Sequence, residues 1–162
     1  MTRAVDLLKN KFGVSQLYKH DVKKDDEIIM PSFTFVSTAN AFVLRGAKPV
    51  FVDIDNDNLN IDSNEIEKAI TKKTKAIVVV HYAGISCDIK RIKTIAKKNK
   101  IFLIEDAAHS ILSYYQKKPL GSFGDLSTFS FHDTKNIHCG EGGALIINNK
   151  SLIEKSKIIR DK

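Results

Sequence analysis

The sequence predicts an α/β fold, a doubly wound and mostly parallel sheet with helices on both faces. Two observations carry that prediction. Four short apolar runs, at 27–30, 49–52, 76–80 and 101–104, are continuous rather than alternating, the pattern of strands buried on both faces. Between them lie segments whose apolar residues recur at helical spacing.

Taken in order, Glu27-Ile28-Ile29-Met30 is the first strand. Residues 36–45 read as a helix, stopped by Gly46 where a helix C-terminus prefers glycine. Pro49-Val50-Phe51-Val52 is the second strand. Asp62 followed by Glu65 resembles a capping box, and Ile66, Ala69 and Ile70 continue that helix. Ala76-Ile77-Val78-Val79-Val80 is the third strand, and Ile89, Ile92, Ile95 and Ala96 mark the next amphipathic helix. Ile101-Phe102-Leu103-Ile104 is the fourth strand. Two shorter strands follow near 125–131 and 143–148, and Ser151 with Glu154 opens a last helix. Right-handed crossovers are expected throughout.

The composition is that of a globular chain, with 43% hydrophobic and 28% charged residues over 162 positions. This excludes an intrinsically disordered chain, a collagen-like repeat and a disulfide-framed mini-protein. One domain is expected at this length. No apolar run approaches the roughly 20 residues of a membrane span, and the N-terminus lacks a signal-peptide core. The expected compartment is cytoplasmic, with no membrane partner. Cys87 and Cys139 stand outside metal-ligand spacing and read as reduced thiols, so no metal is expected. The net charge of +7 gathers in lysines at 72–75, 93–100 and 117–118, which read as solvated surface. No recognition module for nucleic acid accompanies them, so none is expected as a partner.

Ligand sites in open α/β sheets lie beyond the carboxyl ends of the strands. There the chain places Pro31-Ser32-Phe33-Thr34-Phe35, His81-Tyr82-Ala83-Gly84, Glu105-Asp106-Ala107-Ala108-His109 and Ser130-Phe131-His132-Asp133-Thr134-Lys135-Asn136. Taken singly, each has a structural reading: Lys135 a loop lysine, Asp106 a helix N-cap, His109 a satisfied histidine, Phe33 and Phe35 core aromatics, Ser130 a strand serine. Together they describe a site for an aldehyde cofactor with a charged ring nitrogen and a phosphate. A lysine amine can form a Schiff base, and a carboxylate can pair with a pyridinium nitrogen and keep the ring an electron sink. An aromatic side chain can stack on the ring, and a hydroxyl can hold the phosphate.

These segments resemble the DegT-type sugar-nucleotide aminotransferases, pyridoxal-phosphate enzymes of aminotransferase fold type I, over residues from about Asp25 to Lys162. The resemblance implies the large domain of that fold. It implies that Lys135 holds pyridoxal 5'-phosphate, that Asp106 pairs with the pyridine nitrogen, and that His109 lies near the phenolic oxygen. Phe35 would cover the ring face and Ser130 would bind the phosphate. It further implies transamination of a dTDP-4-keto-6-deoxyhexose with glutamate as donor, in polysaccharide biosynthesis of O-antigen or enterobacterial common antigen type, and a homodimer. Relatives with histidine in place of the lysine are dehydratases, so Lys135 favours the transaminase.

The chain departs from the family pattern in two places. Before the first strand, members carry a small-residue segment that opens a helix onto the cofactor phosphate. Here Phe12-Gly13-Val14-Ser15-Gln16-Leu17-Tyr18-Lys19-His20-Asp21-Val22-Lys23 has no such segment, so the phosphate loop near 15–22 is expected to be deleted, with residues 3–15 forming the preceding helix. The C-terminal domain is expected to be absent, leaving 1–162 as an incomplete cofactor-binding domain. Losing two or three charged hydrogen bonds to a phosphate would weaken binding by about 3 kcal/mol, roughly a hundredfold. The alternative reading is therefore a non-catalytic truncated remnant.

Overall fold

The computed structural model describes residues 22–160, with side chains to Ile158. The helix expected over 3–15 and most of the segment near 15–22 lie outside the described residues.

Six strands form one sheet: β1 (Glu27–Pro31), β2 (Lys48–Val52), β3 (Thr74–Val80), β4 (Phe102–Asp106), β7 (Leu126–Ser130) and β8 (Gly143–Ile147). Their order is β2-β1-β3-β4-β7-β8. Every pairing is parallel except that of β7 with β8. A separate two-stranded hairpin, β5 (Tyr114–Tyr115) with β6 (Lys118–Pro119), branches from the connection between β4 and β7.

Alternation of side chains explains the continuous apolar runs. Ile28, Met30, Ala76, Val78, Ile104 and Leu126 face one way and pack with Phe42 of helix α1 (Val36–Val43) and with Leu152. Ile29, Ile77, Val79 and Leu103 face the other way. They pack with Ile66 of α2 (Ser63–Ala69) and with Ile89, Ile92 and Ile95 of α3 (Ile89–Asn99). Both faces are thus covered by helices, the doubly wound arrangement that the sequence predicts.

Helix ends follow local chemistry, with two corrections. Gly46 stops α1 in the left-handed region at φ 79°, as expected. Asp62 caps α2 by accepting from Asn64 N at 2.8 Å. The expected capping box does not close, because Glu65 Oε1 accepts from Lys68 Nζ at 2.7 Å instead. The last helix, α4 (Ile153–Arg160), is preceded by a 3-10 turn over Lys150–Leu152. The cap of that turn is Asn149, whose Oδ1 accepts from Ser151 N at 3.1 Å, so Ser151 is capped rather than capping. Among the described residues no helix is long and apolar enough to cross a membrane.

Candidate cofactor site

The strand order reverses between β1 and β3, and in such sheets the crevice for a ligand opens at that reversal, beyond the carboxyl ends. Every sequence-predicted site residue lies along this edge. Asp106 ends β4, Ser130 ends β7, and Phe35 is the N-cap of α1 just beyond β1. His109 and Lys135 sit in the loops that follow β4 and β7.

Asp106 is buried, and its carboxylate is oriented from two sides. Oδ2 accepts from Thr38 Oγ1 at 2.8 Å, a contact that reaches from β4 to the first turn of α1. Oδ1 accepts from Ala108 N at 3.2 Å, which makes a turn rather than a helix N-cap. The Asp106 carbonyl accepts from His81 N at 3.1 Å, and Ala107 N donates to Thr128 O at 2.9 Å. The end of β4 is therefore tied to β3 and β7 at once.

Lys135 and His109, distant in sequence, are in direct contact. The Lys135 amine donates to His109 Nε2 at 2.9 Å, so the imidazole proton resides on Nδ1. Burial and the neighbouring Lys135 charge push the His109 pKa below its ordinary value, against an upward pull from Asp106. His109 thus lies within electrostatic reach of both the amine and the carboxylate. Its ring and that of Tyr82 meet edge to face, with centroids 6.0 Å apart, and Tyr82 meets Phe33 at 5.1 Å.

Neither phenylalanine is core, the structural reading available for each alone. Phe33 packs on Tyr82, and Phe35 is 69% exposed at the site edge. Ser130 is half-buried, and its Oγ accepts from His132 N at 3.4 Å. The structure thus joins His109 and Lys135 directly, sets Asp106 within electrostatic reach of His109, and leaves Phe35 and Ser130 on the same sheet edge.

Tyr82, His81 and Glu105 lie within the sequence segments at this edge and Thr38 three residues beyond one of them, yet residue type alone assigns them no role. Glu105 is fully buried. Burial would raise its pKa, but the hydrogen bond from His81 and those from the Gly124 and Gly121 amides hold it below the ordinary carboxylate value. Thr34 Oγ1, in the loop carrying Phe35, is buried without a hydrogen-bond partner among the described residues. No group of three or more potential metal ligands gathers among them either.

Comparison with known proteins places this edge in context. The chain is 45% identical over 134 residues to the spore coat polysaccharide biosynthesis protein SpsC of Bacillus subtilis, covering 83% of this chain and 34% of SpsC. Helicobacter pylori PseC, an aminotransferase involved in the biosynthesis of pseudaminic acid, superposes with a TM-score of 0.84 at 40% identity, covering 91% of this chain and 40% of PseC. The PLP form of the putative sugar aminotransferase Spr1654 from Streptococcus pneumoniae superposes with a TM-score of 0.82 at 31% identity, covering 93% of this chain and 43% of that one. The chain spans about a third of the length of the curated relatives it matches. The neighbours are aminotransferases of the fold type I class, so the fold here is part of that larger one. Residues 14–162, which contain the whole carboxyl edge just described, match a family of pyridoxal-phosphate enzymes: this chain belongs to the DegT/DnrJ/EryC1/StrS aminotransferase family.

Proposed function

We propose that this chain carries the cofactor-binding part of a sugar aminotransferase, with Lys135 as the residue that bonds pyridoxal 5'-phosphate. The observation that carries the reading is the Lys135–His109 contact at 2.9 Å beside the Asp106 carboxylate. The residues present fit that cofactor. Lys135 offers a primary amine, and Asp106 is a buried carboxylate oriented by Thr38 toward one strand end. Thr34 Oγ1 is polar capacity that the described contacts leave unused.

When bound, the cofactor supplies an aldehyde for an amine to condense with and a protonated ring that draws electrons from the substrate carbon. The chain's own residues do the rest. Asp106 would face the ring nitrogen with its charge held in place by Thr38 Oγ1 and Ala108 N. His109 Nε2 holds the Lys135 amine whenever that amine is free, keeping it at the site rather than in solvent. Lys135 would move a proton at its Nζ, and Phe35 would cover one face and exclude water. Ser130 Oγ would donate to the phosphate.

The substrate expected is a nucleotide-linked keto-sugar, a dTDP-4-keto-6-deoxyhexose, with glutamate as amino donor and a homodimer as the working assembly. The role of SpsC in spore coat polysaccharide biosynthesis and that of PseC in pseudaminic acid biosynthesis support the class. The test is to incubate the folded chain with pyridoxal phosphate, reduce with borohydride and map the modified residue by peptide mass spectrometry. Labelling confined to Lys135 is expected. Labelling scattered over surface lysines would sink the reading and favour a non-catalytic remnant.

A further inference from the structure

Glu105 precedes Asp106 in β4 and points to the opposite face. Glutamate is almost never fully buried unless paired, yet this carboxylate has no exposure. It accepts four hydrogen bonds. Oε2 takes His81 Nε2 at 3.0 Å and Gly121 N at 2.8 Å, and Oε1 takes Phe123 N at 2.7 Å and Gly124 N at 2.5 Å. Three donors come from the segment that leads into β7, and the fourth from the residue that follows β3.

His81 completes the tie. Its Nδ1 accepts from Cys87 N at 3.3 Å, which leaves Nε2 as the nitrogen that donates to Glu105. Its own amide donates to the Asp106 carbonyl at 3.1 Å. One carboxylate therefore straps the end of β3 and the start of β7 onto β4, next to the residue that faces the site.

We infer that Glu105 and His81 form a positioning pair that aligns the carboxyl ends of β3 and β4 with the amino end of β7, fixing the register of β7 against β4, and thereby holds Asp106, His109 and Lys135 in place. The inference rests on the proposed role of those three residues as the cofactor site. An apolar side chain here would leave three backbone N–H groups and His81 Nε2 without an acceptor. Four donors converging on two oxygens require an acceptor-only group. Glutamine cannot substitute, because its NH2 must face two N–H donors whichever way the amide is turned.

The test uses Glu105→Gln in the full chain with two readouts. The first is the His109 titration midpoint, followed by NMR in the cofactor-free protein. His109 is faced by the Lys135 amine, the Asp106 carboxylate and the Tyr82 ring. If the strand ends slip, its burial and its Lys135 contact slacken, and the midpoint rises toward the ordinary 6.5. The second is borohydride labelling at Lys135, expected to fall about tenfold or more, as small misplacements of reacting groups do. An unchanged midpoint in a folded variant overturns the inference, even with a lower melting temperature, since a purely stabilising pair would leave the folded site intact. Should Glu105→Gln fail to fold, His81→Leu removes one of the four donors and is read the same way. Absence of Lys135 labelling in the unaltered chain would sink the cofactor reading alone, because the midpoint is measured without cofactor.

Discussion

Removing one hydroxyl should reveal how tightly the site is built into the fold. Thr38 lies in the first turn of α1, 6% exposed, and its Oγ1 donates to Asp106 Oδ2 at 2.8 Å. Thr38→Val replaces that donor by a methyl group of nearly the same volume and leaves a buried carboxylate oxygen facing carbon. A hydrogen bond to a charged group contributes about 1.5–3 kcal/mol. At roughly 2–4 °C per kcal/mol for a domain of this size, the melting temperature should fall by about 3–12 °C. The matched control is Thr94→Val on α3, where the hydroxyl donates to the Lys90 carbonyl at 2.9 Å on an exposed face, a change expected to stay within about 0.5 kcal/mol. Circular-dichroism melts and urea titrations of the two variants give the comparison. If Thr38→Val melts within about 1 °C of the control, the contact does not orient Asp106 and the account of the site is wrong.

His109 gives a pH dependence of definite sign. Its folded pKa is depressed by burial and by Lys135, so the unfolded chain binds the extra proton first. Its contribution to stability is full above the ordinary 6.5 and is lost as pH falls through the depressed value. Urea midpoints across that window should slope in the unaltered chain and flatten in His109→Gln. Gly124→Ala should cost about 2 kcal/mol or more, because its Cβ would stand 2.6 Å from the Leu103 carbonyl oxygen. Chemical denaturation measures this, with Gly140→Ala, whose Cβ meets nothing within 4 Å, as the contrast limited to backbone strain of about 1–2 kcal/mol. A thiol reagent should react quickly with exposed Cys139 and spare Cys87 until the chain unfolds, since burial pushes the Cys87 thiol up to about 12.

Much of the fold was legible because burial on two faces writes itself into consecutive residues. Ile28, Ile29 and Met30 had to be apolar whichever way each pointed, and so did Ile77, Val78 and Val79. Helix α3 announced itself because Ile89, Ile92, Ile95 and Ala96 share one buried face while its lysines take the other. The hairpin β5–β6 left no such mark. Its turn carries positive φ at Gln116 and Lys117, where neither glycine nor asparagine signals it. Capping was only half legible, since Asn149, Ser151 and Glu154 all satisfy the local preference and packing chose Asn149.

For the site, the sequence by itself determined the chemistry: an amine at 135, a carboxylate at 106 and an imidazole at 109, each at the carboxyl end of a strand or just beyond it. Only the tertiary structure decided which of these meet. The Lys135–His109 contact, the Thr38 tie to Asp106 across 68 residues, and the Glu105–His81 strap all join separate strands and helices. Local pattern reports the environment of one element, apolar or solvated. Pairing between elements depends on strand order and register, which arise from the packing of the whole sheet.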